Sequence, residues 1–396
     1  MTSQPAQAKH AVLSREDLRA LIETSLAEQG YTVGGPRPVP PAGMDKARVR
    51  DLNAAAVEHR RSEAARSLAR HEDVLLARIA NGCDIDPAQM TPKLIEVQRG
   101  SEDERLFRYV SKHWSIPVSS GYGRRLRFLV VDDFNEKLIG ILGLSDPVIN
   151  LGVRDKWIGW DLDVKKERLH HVMDAFVIGA VPPYSQLLCG KLVAMLAASS
   201  EVQRAFQERY QGRTALISKR ELDSQLALIT TSSALGRSSI YNRLRYKGRP
   251  LYRSIGFTQG YGEFHFANGL YEPILLYAQE HCTPTERREI WGSGFRNRRE
   301  VIRKVLMDVG LTSELVYHGV RREVFAVPLV NGVHGFLRGK RDVARSNTVT
   351  VASLTREFKS RWLTQDRLTA RRAYRDYERS SYRLWAAEGT SRNEEA

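Results

Sequence analysis

Two apolar runs one turn apart constrain this chain more than any other feature. RFLVV at residues 127–131 and LIGILGL at 138–144 are rich in β-branched and leucine side chains. Between them Asp132, Asp133, Phe134 and Asn135 supply turn chemistry, so the runs predict an antiparallel hairpin. A third run, AFVIGAV at 175–181, reads as a buried strand that stops at Pro182 and Pro183. A helix is expected from Tyr184 or Ser185 onward, carrying Leu187, Leu188, Leu192, Met195 and Leu196. Further strands are expected at 215–217, 226–231, 240–246 and 261–266. Alternating strands and helices predict an α/β (α+β) fold with a mixed β-sheet core and helical N-terminal and C-terminal extensions.

The extensions have their own punctuation. Ser14 can cap a helix whose stripe is Leu18, Leu21, Ile22 and Leu26, with Gly30 at its stop. GGPRPVPPAG at 34–43 is a linker that cannot continue a helix. A long helical pattern follows at 45–80, with Val57, Ala64, Leu68, Leu75 and Ile79 inward and Arg60, Arg61, Arg66, Arg70 and Arg78 outward. A short helix is expected at 102–112. Asp161 caps another helix that runs to about His171. Beyond the core, Thr283, Pro284 and Glu286 predict a capped helix ending at Gly310. β-branched residues at 314–330 precede an Asn331-Gly332 turn, and a last helical region covers 353–387. The expected organisation is 1–100 helical with a Pro/Gly linker, 101–270 the α/β core, and 271–396 helix-strand-helix with a basic tail.

Charge points to a partner class. Lys and Arg outnumber Asp and Glu 61 to 46, a net charge of +15. That excess favours a polyanion, because each neutralised phosphate releases counterions. No run approaches the length needed to cross a bilayer and no apolar leader is present, so no membrane is expected. Cys83, Cys189 and Cys282 form neither a disulfide framework nor a zinc pattern, so no metal site is expected and a reducing cytoplasm fits best.

The core has a family likeness. GLSDPVINLGVRDKWIGWD, DAFVIGAVPPYSQLLCGKLVAML and SSIYNRLRYKGRPLYRSIGFTQGYG together resemble the DruA family of Druantia anti-phage systems. Gly143, Asp155, Trp157, Ile158, Gly159, Trp160, Pro182, Gly190, Tyr241, Gly256, Thr258 and Gly260 carry the resemblance, which covers residues 121–266. It implies a prokaryotic defence protein and carries over no catalytic residue.

Three constellations could carry chemistry. Between Asp223 and Glu263 there is no acid, while Arg237, Arg243, Arg245, Lys247, Arg249 and Arg253 interleave with Tyr241, Tyr246 and Tyr252. As a strand, 240–247 would place Tyr241, Arg243, Arg245 and Lys247 on one face, able to grip phosphates and stack a base. The nucleic-acid-binding candidates are Arg237, Tyr241, Arg243, Arg245, Lys247 and Arg249, with DNA the favoured partner. The same face could be a solvated surface or a homo-oligomer interface. Second, the turn from the third strand into its helix offers free amides to an anion. Strand order and this turn are similar to the acyl-CoA-dependent acetyltransferase fold, whose loop reads Gln/Arg-x-x-Gly-x-Gly/Ala. Here Cys189 and Lys191 stand where that pattern has glycine or alanine. The cofactor candidates are Tyr184, Ser185, Gln186, Gly190 and Lys191, with acyl-CoA as ligand. Third, Glu263 and His265 are expected on one strand face as a base pair, and with Tyr241 they are the catalytic candidates. His170, His171 and Asp174 form a further polar cluster, and Trp157 and Trp160 read as core aromatics. Three classes stay open: a nucleic-acid binder, an acyltransferase-like enzyme acting on nucleic acid or nucleotide, and a scaffold for other defence-system subunits.

Overall fold

The hairpin is present in the computed structural model, which describes residues 12–33, 35, 37–41, 45–214, 225–285, 291 and 295–385. In chain order the strands are β1 (Pro92–Glu96), β2 (Arg125–Asp132), β3 (Lys137–Ser145), β4 (Val172–Ala180), β5 (Leu228–Ser232), β6 (Arg245–Tyr246), β7 (Arg249–Pro250), β8 (Arg253–Phe257) and β9 (Glu323–Pro328). The helices are α1 (Arg15–Glu28), α2 (Lys46–Leu68), α3 (Glu72–Leu76), α4 (Glu102–Val110), α5 (Gly152–Ile158), α6 (Leu162–Arg168), α7 (Cys189–Leu196), α8 (Ser200–Tyr210), α9 (Tyr271–His281), α10 (Phe295–Asp308), α11 (Val333–Leu337), α12 (Val351–Trp362) and α13 (Gln365–Thr369).

The chain divides into two compact units, Met1–His59 with Gln259–Arg321, and Arg60–Thr258 with Arg322–Ala396. The larger unit holds a mixed seven-stranded sheet in the order β1-β2-β3-β4-β5-β9-β8. Among the described residues only β4 and β5 run parallel. The α/β reading of the sequence therefore holds.

Both sheet faces are covered, which is why β3 is apolar from Leu138 to Leu144. Leu126, Phe128 and Val130 of β2 point to one side, into a core shared with α7, α8 and α12. Leu129 and Val131 point to the other, against α3, α4 and the second half of α2. Further along that second side, α5 and α11 bury Ile158, Phe336 and Leu337 against Val172, Leu228 and Ala326. Trp157 and Trp160 pack at this core's edge, as expected of core aromatics.

The smaller unit contains α1, the first half of α2, α9 and α10. The Ser14 hydroxyl accepts from the Asp17 amide, and Leu18, Ile22 and Leu26 are fully buried. Gln29 Nε2 donates to the His265 carbonyl at 2.9 Å, and Tyr31 Oη to that of His318 at 3.2 Å.

Several expected elements take another form, each for a local reason. Residues 240–246 are not a strand. Ser238 Oγ accepts from the amides of Ile240 and Tyr241 at 3.1 Å each, and this turn leads into a 3-10 helix at Tyr241–Arg243. Lys247 at φ 48° and Gly248 at φ 76° then reverse the chain between β6 and β7. The single face proposed for Tyr241, Arg243, Arg245 and Lys247 therefore does not form. Residues 261–266 are likewise no strand, because the amides of His318 and Gly319 both donate to the Gly260 carbonyl and Phe264–Phe266 turns as a 3-10 helix. The Glu263 and His265 strand face is lost with it. The helix expected from Tyr184 begins only at Cys189, because the Tyr184 ring sinks fully into the core and Leu188 takes φ 63°. The helix expected from Thr283 is described from Phe295, and residues 286–290 lie outside the described residues. The strand expected at 215–217 also lies outside them. The region 353–387 breaks into α12, α13 and 3-10 turns. Arg60 and Arg61 do not face solvent freely: they donate to the carbonyls of Val118 and Lys112 at 2.7 and 3.1 Å.

Candidate nucleic-acid interface

Three basic segments that are remote in sequence converge on the α7 and α12 side of the large unit. Lys191 comes from α7, Arg243 from the 3-10 turn, Arg361 from the end of α12, and Arg367 and Arg371 from α13 and the residue beyond its cap. Burial and then the charges of Arg371, Arg243, Arg367 and Arg361 hold the Lys191 ammonium below its ordinary pKa. Like charges near an ammonium disfavour its charged form, in the same direction as burial. Among the described residues no carboxylate forms an ion pair with any of the five.

Local packing explains why the chain tolerates this crowding. Trp362 is a buried ring at the base of the patch, with Lys191 Nζ 5.5 Å from its centroid and the Arg361 guanidinium carbon 4.6 Å away. Each cation places its charged group over the indole face. The Arg371 guanidinium donates to the Arg367 backbone carbonyl at 3.0 Å, which anchors it beside α13.

The other predicted phosphate contacts divide. Arg237, Arg245, Lys247 and Arg249 are exposed on the turns flanking Arg243. Arg245 is held by the Gly248 carbonyl at 2.9 Å, and Lys247 lies 5.5 Å from the Tyr246 ring centroid. Tyr241 is withdrawn from this surface. Its ring stacks on Tyr252 at 4.8 Å and meets Phe325 edge-on at 5.1 Å, and burial pushes its phenol up to about 12.

The turn before α7 is internally satisfied. The amides of Ser185, Gln186, Leu187, Leu188 and Cys189 donate to carbonyls of residues 181, 183, 184, 185 and 184. Tyr184 Oη donates to Asp132 Oδ2 at 2.7 Å deep in the core, while Gln186 is exposed and Gly190 half-buried. Of the five residues expected at a cofactor, Lys191 joins the basic cluster instead.

The catalytic candidates are not assembled. Glu263 pairs with Arg298 at 3.4 Å in the smaller unit. His265 is fully buried there, with Nε2 on the Leu315 carbonyl at 2.6 Å, and burial lowers its pKa to about 4. Tyr241 belongs to the other unit. His171 bonds the Gln225 carbonyl at 2.9 Å, whereas Asp174 accepts from Thr230 Oγ1 at 2.9 Å.

Reading the sequence missed Arg361, Arg367 and Arg371 as site residues, although their segment stood out as basic. What the sequence lacks is any local sign that α12 lies beside α7.

The Druantia protein DruA family profile matches residues 43–339. A Druantia protein DruA from Escherichia coli (strain UMEA 4076-1) is 32% identical over 388 residues, covering 98% of this chain and 94% of that protein. No solved structure matches, and the likeness to acetyltransferases gains no support.

Proposed function

We propose, from the premise that this chain belongs to the Druantia protein DruA family, that it is the nucleic-acid-binding component of a Druantia anti-phage defence system. The observation that carries the binding half is the convergence of Lys191, Arg243, Arg361, Arg367 and Arg371 on one surface without carboxylate partners. Such a surface suits a phosphate backbone, since each contact releases condensed counterions and needs no particular base. DNA is the favoured partner. Arg245, Lys247 and Arg249 extend the same surface along the small hairpin and lengthen the track a strand can follow. Other subunits of the system are expected as protein partners, and the three free cysteines suit a reducing cytoplasm. Among the described residues no helix is long and apolar enough to cross a membrane.

The test is fluorescence anisotropy with labelled duplex DNA across a salt series. Five phosphate contacts predict a log-log slope of about −4.5. Arg361→Ser with Arg367→Ser should flatten it by about 2 and weaken binding to all sequences alike. Binding that ignores salt, or that survives the double substitution unchanged, overturns the reading.

A further inference from the structure

On the opposite face of the sheet from α7 and α12 lies a cleft of about 590 Å³. The second half of α2, α4, the segment 111–120, β2 and Phe176 of β4 form its walls. That volume falls within the range of small-ligand sites.

Its charge is one-sided. Arg60, Arg108, Lys112, Arg125 and Arg127 line it against two carboxylates, Glu63 and Glu104. Glu104 is already committed, accepting from the Gly100 amide at 2.7 Å and from Arg127 at 2.6 Å. Arg127 is thereby neutralised. Arg108 reaches Ser67 Oγ at 3.2 Å, and its charge also acts on the Glu104 carboxylate that Arg127 holds. Burial, and then the charges of Arg60 and Arg108, hold the Lys112 ammonium below the ordinary lysine value against the opposing charge of Glu63. Ser111, Ser119 and Ser120 line the same wall. The Ser111 and Ser120 hydroxyls already donate to the Arg108 and Gly121 carbonyls, whereas the Ser119 hydroxyl accepts from the Gly121 amide and keeps its own proton. Clustered cations on one wall are the chemistry that recognises phosphoryl oxygens. Beside them Phe107 and Phe176 meet edge-on at 6.4 Å, and with Ala64 and Val118 they give the cleft apolar surface that includes an aromatic ring. A phosphoryl group next to a planar apolar ring describes one ligand class.

We propose that this cleft binds a nucleoside phosphate, with its phosphoryl oxygens on Arg108, Lys112 and Arg125 and its base against Phe176. The ligand is either a free nucleotide or the 5′-phosphorylated end of a strand. The site uses none of the five residues of the basic patch.

The experiment is calorimetric titration of the full chain with ADP and, separately, with inorganic pyrophosphate at low salt. Lys112→Gln and Arg108→Gln should each weaken ADP at least tenfold, while Arg361→Ser with Arg367→Ser leaves it unchanged. Arg108→Lys, which keeps the charge, should recover part of the loss. Phe176→Leu should weaken ADP severalfold and leave pyrophosphate unmoved, with urea midpoints confirming that each variant folds. Absence of ADP binding at millimolar concentration, or equal binding by the charge variants, overturns the proposal. Equal affinity for ADP and pyrophosphate overturns the nucleoside assignment. Competition of a 5′-phosphorylated oligonucleotide with bound ADP, but not of its 5′-hydroxyl counterpart, identifies a strand end. Failure of both to compete identifies a free nucleotide. Equal competition by both places internal strand phosphates in the cleft and overturns it. Because the patch variant is carried in parallel, loss of DNA binding and loss of ADP binding are read separately.

Discussion

Replacing Asp155 by asparagine tests the packing logic of the α5 layer most directly. Arg154 is fully buried, with its guanidinium on the carbonyls of Val148 and Ile149 at 2.6 and 2.8 Å and on Asp155 Oδ1 at 2.7 and 2.9 Å. Lys165, also buried, reaches Asp155 Oδ2 at 2.9 Å, and Trp160 Nε1 donates to Oδ1 at 3.1 Å. One carboxylate thus balances two buried cations and orients an indole. Asparagine keeps the shape, removes the charge and turns an NH2 toward groups that are themselves donors. Breaking a buried pair costs about 3–5 kcal/mol, and the 21% exposure of the Asp155 side chain argues for the lower end, ~3 kcal/mol. Urea denaturation followed by circular dichroism should show a lower midpoint at unchanged slope. The acid limb gives a second reading. Burial pushes the Asp155 carboxyl up, but Lys165 and Arg154 outweigh it and hold it below the ordinary value. A lowered carboxyl contributes stability that is present above its unfolded pKa and lost as pH falls through the folded one. The wild type should therefore lose this contribution in acid, and Asp155→Asn should not. A variant within 1 kcal/mol of wild type, or one with the same acid loss, refutes the argument.

Three further outcomes follow from single contacts. Burial raises the Asp174 carboxyl to about 6 despite its bond from Thr230, so its contribution is present at low pH and lost as pH rises through 6. Asp174→Asn should gain ~1–2 kcal/mol at pH 8, after allowance for partial exposure, and show a flatter melting temperature from pH 5 to 7; superimposable curves refute this. Glu72, 1% exposed, accepts from Tyr109 Oη at 2.8 Å and from the amides of Leu384 and Trp385 at 2.6 and 3.2 Å. Glu72→Ala should cost ~3 kcal/mol and open Arg379 and Arg383 to trypsin, read by mass spectrometry; an unchanged digestion pattern counts against the clamp. Tyr184→Phe leaves the fully buried Asp132 without its 2.7 Å donor and should lower stability by ~1–3 kcal/mol in the same urea assay, and no loss would place that bond outside the energetics of the core.

What could be read from the sequence was local. The α1 cap, the β2–β3 hairpin, the stop at Pro182 and the Asp161 cap each depend on neighbours within a few residues, and each is present. What could not be read depends on distant partners. The period of two at residues 240–247 is real, but Ser238 captures the backbone, and the Tyr252 and Phe325 rings draw Tyr241 inward. β1 begins with Pro92, which is tolerated because β1 is an edge strand. β8 is short and kinked at Gly256, where φ is 128°. The site shows the same division. Composition announced an excess of cations, yet only the packing of α12 beside α7 brings Lys191 to Arg361.

The strand order carries a consequence for how a cell makes this protein. Among the described residues β8 pairs with β9 alone, and β9 also covers the outer edge of β5. Yet β9 is translated after the whole segment Gln259–Arg321, which belongs to the other unit. At typical elongation rates β8 waits outside the ribosome for roughly several seconds without a partner. During that interval β5 is an open edge, and an open edge invites pairing with another chain. A message truncated before residue 323 should therefore yield insoluble product, whereas one reaching past Pro328 can close its sheet.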